Sequence, residues 1–223
     1  MDRTFAHAPT VHRAALLAAA ILLATGTGCI GSIIATGVYL FQGGNVVPAE
    51  CSDLENQRVV VVCRPPSSQE YRHAGAARAV GERVANLLEQ NVKKIDVVSQ
   101  REVDNWIDEQ DWENFKDLGR SVKATRVVYI ELDDFELYKG KTLYQGNADV
   151  TVSVYDMNER GKLMWDRQLG QVLFPRNSGI PAADKPVHAF QRQFVEVIST
   201  KIAEHFYKHN PNSEFALDAV ANQ

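Results

Sequence analysis

The sequence predicts an α/β protein, a mixed β-sheet of about five strands with helices packed on it, held to a membrane by its N-terminus. Three observations predict this. Val59 to Val62 is an unbroken β-branched run, suited to a central strand buried on both faces. Two longer segments repeat apolar residues at spacings of three and four, as helices lying on a sheet do. Between them, strand-like segments alternate apolar and polar residues with period two.

The N-terminal 41 residues differ from the rest. Arg3, His7, His12 and Arg13 give a weakly basic start, and Ala14 to Thr25 is almost purely apolar. Gly26, Thr27 and Gly28 then lead into Cys29, the layout of a secretory leader with a small-residue cleavage site. A cysteine at that place resembles a bacterial lipobox, in which it is diacylated and becomes the mature N-terminus; Gly26 stands where leucine is usual. The apolar run resumes to Phe41 with no charged residue from Ala14 onward, long enough to cross ~30 Å of hydrocarbon as one helix. Two anchors therefore stay open, a lipidated Cys29 and an uncleaved single span. Both leave positive charge on the inner side and place everything after Phe41 outside the cytoplasm, on the periplasmic side of a bacterial envelope. The expected organisation is 1–28 signal peptide or start of the anchor, 29–57 lipidated cysteine, apolar segment and tether, 58–208 extracytoplasmic α/β domain, and 209–223 flexible tail.

Within the domain, Arg58 to Cys63 forms the first strand, closed by Pro65-Pro66. Ala77, Val80, Val84, Leu87 and Leu88 set the stripe of an amphipathic helix from Tyr71 to Val92. Ile95 to Val98 is a short second strand. Ser99 with Glu102 makes a capping box for a helix ending near Glu109. Asp111 is read as the cap of the next helix, which turns Trp112, Phe115, Leu118 and Val122 to the core. In Arg126 to Leu137, Val128, Ile130 and Leu132 share one face, whereas Phe135 and Leu137 are out of phase; one extra residue at Asp133-Asp134 restores the alternation and predicts a bulge. Leu143 to Tyr155 alternates Ala148, Val150, Val152 and Val154 against polar neighbours, and Lys162 to Phe174 is expected to put Leu163, Trp165 and Leu169 on one side. An irregular loop, Pro175 to Pro186, precedes a last helix from Val187 to Tyr207. The order is β-α-β-α-α-β-β-β-α, with the first and last helices packed on the sheet as a two-layer solution.

This order, with VVSQREVDNWIDEQ (Val97 to Gln110), LGRSVKATRVVYIEL (Leu118 to Leu132) and VTVSVYDMNERGKLMW (Val150 to Trp165), resembles the curli-secretion-pore and penicillin-binding-protein-activator lipoproteins. The N-terminal domain of the translocation protein TolB is a more distant likeness. The similarity runs from Arg58 to Tyr207 and rests on strand and turn grammar, so it implies fold more than activity. CRPPSS, Cys63 to Ser68, departs from the family phrase after the first strand. A barrel hairpin made of Leu143 to Leu173 would place Asp149, Asp166 and Arg167 at membrane depth, which argues for a peripheral helper over a pore.

Few residues suggest chemistry. The net charge is only −4 with both signs interspersed, which sets nucleic-acid binding aside. Cys51 and Cys63 could pair in an oxidising compartment or stay free. His205 and His209, four apart beside Glu204, form half a metal site without an evident third ligand, so no metal is expected. Asp104, Asp108, Glu109, Asp111 and Glu113 read as helix termini and solvated faces, and Asp133-Asp134 as a bulge rather than an acid/base pair. No phosphate-binding, dinucleotide or serine-nucleophile motif occurs, so neither an enzyme nor a cofactor is expected. The loop from Pro175 is long for a compact domain, and Arg176, Asn177 and Ile180 are its candidate partner-facing residues. The expected function is a membrane-anchored accessory or scaffold lipoprotein that binds a protein partner in an envelope assembly or transport system. The alternative is a self-assembling ring or secretion-pore subunit, a homo-oligomer.

Overall fold

The computed structural model of the chain describes residues 46–65, 70–110 and 114–211. The expected anchor with Cys29, the Asp111 cap with Trp112, and residues 212–223 of the tail lie outside the described residues.

In chain order the elements are β1 (Arg58–Arg64), α1 (Glu70–Asn91), β2 (Asp96–Val97), α2 (Gln100–Glu109), α3 (Phe115–Ser121), β3 (Arg126–Lys139), β4 (Leu143–Asp156), β5 (Lys162–Phe174), β6 (Ile180–Pro181) and α4 (Val187–Ala203). A short 3-10 turn, Glu204–Phe206, continues α4. The sheet is mixed and runs β2-β1-β3-β4-β5, with β6 added to β4. β1 lies parallel to β2 and β3, while β3, β4 and β5 are antiparallel neighbours.

Helices cover both faces of the sheet, so the two-layer expectation is corrected. The four valines of β1 decide it. Val59 and Val61 join Val128, Ile130, Val150 and Val152 under α1 and α4, which contribute Val80, Val84, Leu88, Phe190, Phe194 and Ile198. Val60, Val62 and Val127 point the other way and are covered by Val103 of α2 and Leu118 of α3. A strand apolar on both faces needs a layer on each. α3 also starts later than expected: Asn114 is its cap, its side chain accepting from Lys116 N at 2.9 Å. Ser99 caps α2 as its sequence foretells, accepting from Glu102 N at 3.4 Å.

The bulge in β3 lies where the phase break put it. Asp133 pairs with Asp149 and Glu136 with Asn147, one residue more on β3 than on β4, and Asp134 takes φ 50. Phe135 is thereby returned to the core, where it stacks on Phe194 at 5.3 Å. β5 departs from expectation. Its register against β4 slips between Trp165 and Leu163, so the two side chains do not share a face and Leu163 is 47% exposed.

The compact unit that holds the sheet begins at Val47, ahead of the expected boundary at 58. Leu54 is fully buried and Cys51 nearly so. At the other end His209, expected in the tail, pairs with Val47 in an antiparallel bridge.

Candidate functional site

The candidate site is a cleft of about 430 Å³ where the first and last described segments of the unit meet β5. Its walls come from three places. The segment 47–51 runs along the end of α4 and the residues after it: Val47 N donates to His209 O at 2.9 Å, His209 N to Val47 O at 3.1 Å, and Glu50 N to His205 O at 2.8 Å. β5 supplies Arg167, Gln168, Leu169 and Val172; α4 and its 3-10 turn supply Lys201, Glu204 and His205.

One carboxylate organises the charges. Glu50 Oε1 accepts from Arg167 Nη2 at 3.0 Å and lies 3.2 Å from His205 Nδ1. Burial holds the His205 imidazole below its ordinary range, and Arg167 and His209 push the same way; the adjacent Glu50 opposes them without prevailing. A neutral His205 facing a carboxylate must carry its proton on Nδ1, which fixes the tautomer. The ring of Trp165 lies 5.7 Å from that of His205 and 5.3 Å from Phe206.

The expected helical spacing of His205 and His209 is not realised, because α4 ends at Ala203 and Tyr207 is extended. Both residues line the cleft, yet among the described residues no group of three or more His, Cys, Asp or Glu side chains could hold a metal ion. Sequence reasoning missed Glu50 and Arg167. Glu50 lies in an aperiodic polar stretch and Arg167 on a strand 117 positions away, and only the fold joins them.

The loop residues are divided. Arg176 and Asn177 are exposed, whereas Ile180 is 7% exposed and forms β6 with Pro181, pairing with Tyr144. Ile180 is therefore core rather than partner surface; its isolated position in a Pro/Gly-rich loop hid a ladder contact. Cys51 and Cys63 are both free thiols. Cys51 is buried in the core ahead of β1, and Cys63 is half-buried near the end of β1, paired with Ile130.

Among the described residues, the acidic side chains near α2 have separate partners. Asp108 pairs with Arg78, and Asp104 accepts from Gln100 at 3.2 Å. Asp133 faces Asp149 across the ladder, and its carboxyl is pushed up by burial first and by Asp134 and Asp149 next.

No protein-family model and no curated protein matches the sequence. Solved structures resemble the chain distantly. PelC of Paraburkholderia phytofirmans, crystallised as a dodecamer, is 13% identical over 73% of this chain and 96% of its own, with a TM-score of 0.44. The lipoprotein GNA1162 of Neisseria meningitidis is 13% identical over 66% and 98%, with a TM-score of 0.40. A neuraminyllactose-binding hemagglutinin homolog of Helicobacter pylori is 9% identical over 78% and 95%, with a TM-score of 0.35. Among the described residues no helix is long and apolar enough to cross a membrane.

Proposed function

We propose that the chain is a non-enzymatic accessory lipoprotein, anchored through its N-terminus on the extracytoplasmic side of a bacterial envelope, which holds a protein partner there. The observation that carries the reading is Gly26-Thr27-Gly28-Cys29, small residues and a cysteine that follow the apolar stretch Ala14 to Thr25, ahead of a compact unit that starts at Val47. The charges of the cleft support a binding role, since Glu50, Arg167 and His205 engage one another as a ready-made polar contact site.

A laterally closing ring needs heterologous contacts between copies. The outer edge of β5 is poorly suited to supply them. Register slips at Met164 and Leu169 bend it, and exposed Asp166 and Arg167 charge it, the devices by which sheets discourage strand addition. The reading is therefore of an accessory protein that does not polymerise through its sheet.

Intact mass of the protein extracted from membranes tests the anchor. The account expects loss of residues 1–28 with an acylated Cys29, and Cys29→Ala that is neither acylated nor cut there. An unprocessed chain beginning at Met1 in both proteins would replace the lipid anchor with a single span.

A further inference from the structure

One wall of the cleft is a segment of this chain that lies outside any helix and is joined to the rest by one bridge and a few polar contacts. The segment 47–51 crosses the cleft as a strap, bound by the Val47–His209 bridge and by the Glu50 and Cys51 amides donating to His205 O at 2.8 and 3.0 Å. Its one anionic side chain, Glu50, meets Arg167 and His205. The remaining cavity of about 430 Å³ runs beside the strap and is bounded by Lys201, Glu204 and His209, with Leu169 and Val172 as apolar wall. With Glu50 in place the carboxylates of Glu50 and Glu204 balance Arg167 and Lys201. With Glu50 withdrawn, the same wall carries one net positive charge even with both histidines neutral.

We propose that this cleft is the partner-docking site and that the strap occupies its charged end in cis, so that the partner is an extended peptide segment presenting a carboxylate to Arg167 and His205. The inference rests on the partner-binding reading above and names the partner's chemistry. Backbone bonding of the kind Val47 makes with His209 accepts any extended chain, and a carboxylate on a guanidinium supplies the selectivity. A cis strap competes at an effective concentration of order millimolar, so a partner segment gains the site only when it binds better or when the strap is loosened.

The test uses the full-length protein in detergent and an acetylated, amidated peptide of the strap sequence, Val-Val-Pro-Ala-Glu, with a Gln-ended version as control. Binding is followed by calorimetry and by Trp165 fluorescence. Glu50→Gln removes the cis carboxylate while leaving its backbone bonds to His205 available. It should bind the Glu peptide at least tenfold more tightly than the unaltered protein does, and the Gln peptide no better. Adding Arg167→Gln should abolish the gain, with circular dichroism reporting that each variant is folded. Equal binding by both proteins, equal binding of both peptides, or no binding by folded Glu50→Gln would overturn the proposal. Those results would leave the wider reading standing if crosslinkers placed at exposed Arg176 still captured a partner in cells.

Discussion

Arg126 and Asp156 face each other across β3 and β4, Nη1 to Oδ1 at 2.8 Å, with side chains only 11% and 10% exposed. Asp156 Oδ1 also accepts from Asn158 N at 2.8 Å, so the carboxylate fixes both the strand pair and the turn into β5. Removing one member of a buried pair strands the other's charge in a poorly solvated site. Asp156→Ala should cost about 3–5 kcal/mol, read as a lower urea midpoint. Replacing both residues with apolar ones of similar volume should recover much of that loss. A double variant as unstable as the single would show that the cost lies in packing.

Glycine substitutions should separate close approach from free space. A Cβ on Gly146 would stand 2.5 Å from the ring of Phe194, so α4 can lie on β4 only because that position has no side chain. Gly146→Ala should therefore destabilise by about 1–3 kcal/mol. Gly75, exposed within α1, has nothing within 4 Å of its Cβ position. Gly75→Ala should stabilise by about 0.4–1 kcal/mol. Thermal unfolding of the two variants side by side checks both signs.

The buried imidazole of His205 makes stability depend on pH. Its proton affinity is lowered in the folded state relative to the usual value near 6.5. The unfolded chain therefore binds the proton more readily, and His205 contributes fully above about pH 6.5. That contribution should fall as the pH drops and be gone below the folded value. His205→Gln should flatten the stability profile in this acid window and leave the neutral region nearly unchanged. A profile that stays as steep in the variant would assign the acid sensitivity elsewhere.

Both described thiols should be slow to react while the protein is folded. Burial pushes the Cys63 thiol far up and the Cys51 thiol up as well, so little thiolate is present at neutral pH. Alkylation without reductant should be slow in buffer and should label Cys51 and Cys63 completely in denaturant. A pair that stays unlabelled until reduced would be a disulfide, contrary to the free thiols of this fold.

Much of the fold is legible because the periodic residues are core residues. Val128, Ile130 and Leu132 are all fully buried, and the phase break at Asp133-Asp134 marks the extra residue before Phe135. What escaped has no periodicity to announce it. Leu54 and Cys51 are isolated apolar residues in a polar stretch, and Ile180 earns its place through a two-residue ladder. Leu163 misled because alternation assumes an unbroken register, and the slip in β5 turns it to solvent. The site was half visible. His205 and His209 stand out for their spacing and both line the cleft, although the helix ends before them at Ala203 and the 3-10 turn at Phe206. Glu50 and Arg167 are joined by the strap's path, which no local pattern encodes.

The claim that this protein holds a different protein, rather than copies of itself, is tested most directly by photo-crosslinking in living cells from Asn177 and Gln168, both exposed. The account predicts one adduct of defined mass in the membrane fraction that is not a multiple of the chain's own mass, reduced by Arg167→Gln at the Gln168 position. A ladder of self-multiples from either position, ending at a discrete closed oligomer, would contradict it and establish a ring.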